Sequence, residues 1–260
     1  MPSPTPPIRT EDRPLVEALL RENPVTTAVT WNRAFDMEGP KELYIDGDRP
    51  KGVLAVVRPP WSEGATGVAM HAVDLKAAES LMPAWPSGSV FLHLSEEWML
   101  PFVEARAASF DDGVFWLFQL DPNDFVDQEG PRVQPLDPKW GDMVGKIWDP
   151  DWNLAGSYVR SRIEAGHAYA VYEDGTPVAW AFPHFETATV SMMGFLHVLE
   201  PYRRKGYAKS VASALAKDIL SRQKIPALHV KTDNVASLEL TASLGFHRVK
   251  KQVWGDAVIR

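Results

Sequence analysis

The sequence predicts an α/β or α+β fold, with strands and helices packed in layers. Three observations point there. Short apolar strand segments alternate with helical ones along most of the chain. Two strand pairs are joined by turn signals, Asp46-Gly47-Asp48 and Glu173-Asp174-Gly175. A strand over 189–199 runs into a helix over 206–222, where Ala208, Val211, Leu215 and Ile219 make one apolar stripe.

Taken in order, residues 9–22 read as a helix, with Leu15, Val16, Leu19 and Leu20 at helical spacing and Pro24 as its stop. Residues 42–45 and 52–57 read as strands around the first turn, and 68–73 as another. Asp74 is placed to cap a helix containing Leu75, Ala78 and Leu81. Residues 89–94 read as a strand, 97–107 as a helix and 114–120 as an aromatic and branched strand. The stretch 121–138 carries four prolines and Gly130 and reads as a linker. Beyond it, 139–148 and 152–165 read as helices and 167–172 and 177–185 as strands. Residues 226–231 read as a strand and 234–244 as a helix closed by Gly245. Two final strands are expected at 246–252 and 254–259.

A faint repeat divides the chain. Leu92-His93-Leu94 resembles Leu228-His229-Val230, and 17 residues separate His93 from Phe110 and His229 from Phe246. A strand–Asp-Gly–strand hairpin precedes each. The first half reads as a shortened copy of the second; the alternative is two unrelated subdomains of similar class. The expected division is 1–130 and 131–260.

Composition narrows the function. The 260 residues carry a net charge of -7 and no cysteine. Disulfides, thiolate nucleophiles and Cys-bound zinc are excluded. The histidines lack paired metal-ligand spacing, so no metal is expected. The acidic balance leaves no global basic field for nucleic acid. Met1 to Pro7 lacks the regions of a signal peptide, and no apolar run is long enough for a bilayer. The expectation is a cytoplasmic protein with neither nucleic acid nor membrane as partner.

Chemistry concentrates between Gly194 and Lys209. A strand reaches Pro201, then a basic loop, then a helix. Gly206 permits a sharp turn and close approach of a ligand. Free amides at the helix N-terminus favour an anion. Arg203, Arg204, Lys205 and Lys209 oppose the helix dipole there, a conflict that an anionic ligand relieves. The plain alternative is a solvated cationic turn. Neither G-x-x-x-x-G-K-[ST] nor G-x-G-x-x-G is present, which excludes those phosphate loops.

The run Val198-x-x-Pro201-x-Arg203-x-x-Gly206-x-Ala208 resembles the pyrophosphate motif, R/Q-x-x-G-x-G/A, of the GNAT superfamily of acyl-CoA-dependent N-acyltransferases. Asn234, Ser237, Leu240, Leu244, Gly245 and Phe246 resemble that family's second signature, a helix after the fifth strand. The wording of 194–209 is similar to the glycine N-acyltransferase-like branch. The resemblance covers about 132–260, and residues 1–130 resemble a degenerate GNAT copy. It implies a mixed, mostly antiparallel central sheet flanked by helices, in two tandem lobes. It implies acetyl-CoA or another acyl-CoA as co-substrate, no metal, and a small-molecule or amino-acid-like amine as acceptor. Backbone groups of Leu196 and Val198 would pair with the pantetheine arm. Arg203 belongs to the motif, and amides from Arg204, Lys205, Gly206, Tyr207, Ala208 and Lys209 would hold the pyrophosphate. Asn234 would contact the pantetheine, and equally reads as the cap of its own helix.

Two positions depart from the family. Thr241 stands where a general-acid tyrosine is frequent, and its hydroxyl is shorter and less acidic. Met193 falls near the glutamate base of the glycine N-acyltransferase branch and takes no proton. His197 is the first candidate for the base, against a packed strand histidine. His184 and Glu186 rank below it, and Glu200 reads as a loop residue. The leading function is N-acyl transfer by direct attack of an amine on the thioester, with a strand amide near Leu196 or Val198 holding the oxyanion. The alternatives are a non-catalytic acyl-CoA-binding regulatory protein and an interaction protein with a vestigial site. Net acidity favours a cationic or polyamine-like acceptor.

Overall fold

The computed structural model describes residues 6–130 and 132–260. In chain order its elements are β1 (Ile8–Thr10), α1 (Arg13–Arg21), α2 (Ala28–Trp31), β2 (Lys41–Ile45), β3 (Gly52–Val57), β4 (Thr66–Ala72), α3 (Leu75–Leu81), β5 (Gly88–Leu94), α4 (Leu100–Arg106) and β6 (Ala107–Gln119). They continue with β7 (Val133–Pro135), α5 (Gly141–Trp148), α6 (Ala155–Glu164), β8 (Tyr169–Glu173), β9 (Thr176–Glu186), β10 (Val190–Val198), α7 (Tyr207–Ser221), β11 (Ile225–Lys231), α8 (Val235–Ser243) and β12 (His247–Ile259).

Three local expectations change, the first being that the strand expected at 114–120 already begins at Ala107, directly after α4. The first helix starts at Arg13, because Asp12 accepts from the Leu15 N–H at 3.0 Å and Pro14 fills the first turn. Residues Ile8–Thr10 are instead a strand paired with β2. The two final strands are one, since β12 keeps register with β5 from Val253↔Leu94 to Ile259↔Gly88.

The chain forms two compact units: the described residues up to Leu117 with Val249–Arg260, and Phe118–Arg248. The expected cut between 130 and 131 therefore differs from the observed one, and the last twelve residues return to the first unit. The stretch 121–130 is bonded into the second unit rather than free as a linker. The Val126 N–H donates to the Leu244 carbonyl at 3.1 Å and the Gln128 N–H to Ser213 Oγ at 2.8 Å. Lys217 pairs with Asp127 and Glu129, each at 3.0 Å.

Unit 1 orders its strands β1-β2-β3-β4-β5-β12-β6, with β6 belonging to it up to Leu117. The first four are antiparallel neighbours, β4 and β5 are parallel, and β12 is antiparallel to β5. Leu54, Met70, Leu81, Leu92, Met99, Val253 and Ile259 share one core. Val16, Leu20, Ile45 and Val53 form a second. Gln252 is fully buried, and its Nε2 donates to the Thr26 and Ser95 carbonyls at 2.9 and 3.2 Å. Its Oε1 lies 2.9 Å from His93 Nε2. A buried amide with every side met is tolerated, so this residue holds β12 in register.

Unit 2 orders its strands β11-β10-β9-β8-β7. β7 to β10 are antiparallel neighbours and β10 is parallel to β11. Strands β9 and β10 send Trp180, Phe182 and Phe195 into a core with Val144 of α5 and Val159 and Ile163 of α6. α5 and α6 approach closely because Gly145 has no Cβ; one there would lie 2.5 Å from the Gly156 nitrogen. α7 packs against β8, β9 and β10, and its residues Val211 and Leu215 are fully buried.

Candidate functional site

The helix α7 begins without a side-chain cap. Gly206 stands at the N-cap with φ of 81°, in the left-handed region where glycine is at ease. Arg204, two residues earlier, has φ of 63°. This turn leaves the first amides of α7 open, since no side-chain oxygen reaches back to them. Arg203, Arg204 and Lys205 are exposed around it. Arg203 Nε donates to the Val198 carbonyl at 3.2 Å, and Lys205 Nζ sits 4.8 Å from the Tyr202 ring centroid. The Tyr207 hydroxyl is bonded to Glu173 and, at 3.2 Å, to Arg132. Its side chain is therefore engaged away from the turn, while its backbone stays at the helix start.

A cleft of about 380 Å³ lies in front of this turn. It is bounded by Val198 at the end of β10, by Tyr202, Arg203 and Arg204, by Gly206 to Lys209, and by Ala236, Glu239 and Leu240 of α8. Exposed cations beside uncapped helix amides suit an anion by both charge and hydrogen bonding.

The strands open toward the same cleft. β10 pairs with β11 from Val190↔Ile225 to Met193↔Leu228, and the pairing stops there although both strands continue. The ladder of β10 with β9 is also irregular between Gly194 and His197. Phe195 takes φ of 47° in this bulge. Its ring turns into the core and stacks on Phe182 at 4.3 Å, leaving Leu196 38% exposed.

The predicted proton carriers fall in different places. His197 is half-buried and stacks on Trp180 at 5.1 Å. Burial, then the Arg203 charge, lowers its pKa from the ordinary value. Thr241 is 3% exposed, and the cleft is lined by its neighbour Leu240 instead. Asn234 accepts from the Ser237 N–H at 3.1 Å and so caps α8. Glu186 is engaged by Arg222 at 2.8 and 2.9 Å, Lys224 at 2.7 Å and Ser191 at 2.7 Å. Burial opposes its ionisation, but these donors outweigh it and hold its pKa at about 2. It is a structural anion.

His184 holds a more central place than its rank in the sequence suggested. Its ring occupies the place where a Cβ on Gly194 would stand, 2.0 Å from its Cδ2. It therefore sits where β10 and β11 part. Burial first, then His229 and Arg162, pushes its pKa down to about 4, so it is a neutral imidazole near pH 7. Around Phe195 stand His184 at 4.4 Å, Trp148 at 4.7 Å and Tyr158 at 6.4 Å. No sequence spacing announces this group, because its members come from α5, α6, β9 and β10. The one available signal was Gly194 itself, an interior strand glycine of the kind that marks close approach. Among the described residues, no three His, Asp or Glu gather as metal ligands, and no helix is long and apolar enough to cross a membrane.

Residues 174–255 match the family model of FR47-like proteins. The whole chain is similar to several solved structures. A Drosophila protein superposes with a TM-score of 0.74 at 14% identity, over 97% of this chain and 98% of that one. A tandem GNAT protein from the clavulanic acid biosynthesis pathway gives 0.59 at 13% identity, over 97% of each chain. An acetyltransferase of the GNAT family from Colwellia psychrerythraea gives 0.56 at 12% identity, over 98% of this chain and 99% of that one. The parted β10–β11 pair, the uncapped start of α7 and these similarities agree: the chain has the fold of the GNAT acetyltransferases, and the FR47-like match runs from the second unit into the last strand.

Proposed function

We propose that this protein is an acyl-CoA-dependent N-acyltransferase, moving an acetyl or other short acyl group to a small amine. The observation that carries the reading is the uncapped, cationic start of α7, which opens beside the strand end that leaves β11. Amides from Arg204 to Lys209, with Arg203 beside them, suit a pyrophosphate. The unpaired edge of β10 at Leu196 and Val198 suits an extended pantetheine arm, added like a strand. The thioester then reaches the bulge at Gly194 to His197, where a backbone N–H can hold the oxyanion. The amine nitrogen attacks the carbonyl carbon and the C–S bond breaks. The sulfur leaves as the thiolate of CoA. The proton lost by nitrogen passes to an imidazole, for which His197 remains the residue assigned from sequence. The buried Thr241 is poorly placed to protonate the thiolate, which can take its proton from water. The finer similarity of 194–209 to glycine N-acyltransferase-like proteins fits the same chemistry.

Calorimetric titration with acetyl-CoA, CoA and 3′-dephospho-CoA tests the reading. Micromolar binding, weakened about tenfold or more in Arg204→Ala, supports it. No binding up to millimolar would overturn it. A second reading, a non-catalytic acyl-CoA sensor, is favoured by the burial of Thr241. It predicts the same binding with no thiol release from acetyl-CoA under any amine.

A further inference from the structure

The geometry points to Glu239 as the residue that makes the cleft at α7 selective: its carboxylate accepts an N–H of the acyl-CoA donor and repels anions that carry no such group. This rests on the acyl-transfer reading and adds a contact that neither the basic turn nor the edge of β10 supplies.

The cleft is bounded by charges of both signs. Arg203, Arg204 and Lys209 are its cations. From α8 it receives Ala236, Glu239 and Leu240. These lie at three- and four-residue spacing, so they share one face of that helix. Glu239 is the one carboxylate among the described residues that bound the cleft, and the one polar side chain that α8 gives it. Asn234, at the start of the same helix, is spent on the cap and stands outside the lining. Ala236, one turn before Glu239, has no side chain long enough to cover the carboxylate.

Glu239 and Arg204 are exposed and Lys209 is half-buried. Among the described residues, none of the three is held in an ion pair or a side-chain hydrogen bond. Opposite charges that bound one cleft and stay unpaired leave both signs open to a ligand. Arg204, Lys209 and the open amides of α7 suit an anionic group. Glu239 suits a donor, and a bond to an ionised acceptor is about twice as strong as a neutral one. Pyrophosphate alone satisfies the cations but meets the like charge of Glu239. Acyl-CoA can satisfy both, because N–H groups flank its pyrophosphate. The pantetheine arm carries amides on one side, and the base carries an exocyclic amine on the other. A repulsive element beside an attractive one is how a site separates two related ligands.

The test titrates the full chain calorimetrically, at low salt, with acetyl-CoA, S-acetyl-4′-phosphopantetheine, ADP and inorganic pyrophosphate. Glu239→Ala should weaken acetyl-CoA about tenfold and tighten pyrophosphate about threefold. The gain for pyrophosphate should vanish near about 0.5 M salt, where screening removes the repulsion. Glu239→Gln keeps an acceptor oxygen and drops the charge. It should tighten pyrophosphate to the same extent and recover part of the acetyl-CoA affinity. Both variants should keep the wild-type melting temperature, since the side chain is exposed. A loss shared by ADP assigns the donor to the base, and a loss shared by the acetylated arm assigns it to the pantetheine. Shifts of acetyl-CoA and pyrophosphate in the same direction, or no shift in either, would overturn the role of Glu239. Failure of the wild type to bind acetyl-CoA would instead sink the acyl-transfer reading, and the N–H contact with it. The pyrophosphate titrations then still decide the repulsion.

Discussion

In unit 1 the parallel pair β4–β5 stays closed: Thr66 to Met70 face Val90 to Leu94. The Ser95 N–H continues the ladder to the Met70 carbonyl at 3.0 Å, and His71 Nδ1 lies 2.8 Å from Ser95 Oγ. In unit 2 the matching pair β10–β11 stops at Met193 and opens. The helix that follows shows the same contrast. Asp74 caps α3 by accepting from the Ala77 N–H at 2.9 Å and from Lys51 at 3.1 Å. α7 has Gly206 at that place, and cations around it. One strand plan thus serves two ends. Unit 1 satisfies its helix amides with its own carboxylate and leaves no slot between its strands. Unit 2 leaves both open, as suits a ligand site.

The most drastic way to break the comparison is to take a strand away from unit 1. Ending the chain at Arg248 removes the segment that carries Gln252, Val253 and Ile259, each at most 2% exposed. Unit 1 should lose its cooperative transition, an effect comparable to a domain's whole stability of about 5 kcal/mol or more. Hydrogen exchange would show it as lost protection confined to unit 1. For the same reason a fragment 118–248 should fold better than 131–260, which lacks the 121–130 segment and carries an unpaired strand. Equal stability of the two would argue against the observed division.

Giving unit 2 the device of unit 1 is the second way. Gly206→Asp places a carboxylate at the start of α7, where it competes with a bound anion. CoA affinity should fall about 100-fold, roughly 2.7 kcal/mol, while the helix persists by circular dichroism. Unchanged affinity would remove the α7 start from the site.

The third concerns pH. Glu186 has a depressed pKa of about 2 in the folded state. Its contribution is thus complete above the unfolded value near 4.3 and is lost as pH falls through that value toward 2. The melting temperature of wild type should drop over that window, and Glu186→Gln should flatten the drop. The substitution itself should cost about 2 kcal/mol at pH 7, because Arg222 and Lys224 lose their partner. An identical acid slope in both proteins would refute the assignment.

The smallest effect sharpens the contrast. Asp74→Ala should cost about 1 kcal/mol through the lost cap and leave CoA affinity untouched. A change in CoA binding would give unit 1 a role that its closed strands do not support.

Much of this was legible in residue order. The hairpins around Asp46-Gly47 and Asp174-Gly175, the caps at Asp74 and Asn234, and the turn at Gly206 depend on near neighbours. So does the basic loop before α7. The repeat of Leu92-His93-Leu94 in Leu228-His229-Val230 also holds, since both lie on the parallel fifth strand of their units. Other features were not legible. His197 and Thr241 were chosen by place in a motif, and residue order did not show that His197 stacks on Trp180 or that Thr241 is buried beside the cleft-lining Leu240.

The sequence by itself determined most of the elements, the two-fold repetition of their order, and the cationic turn before α7, because each arises from contacts within a few residues. Only the tertiary structure decided that β12 returns to unit 1, that His184 lies over Gly194, and that Trp148 and Tyr158 gather around Phe195. These depend on pairing between distant segments, where burial and strand register, not local preference, choose the partner.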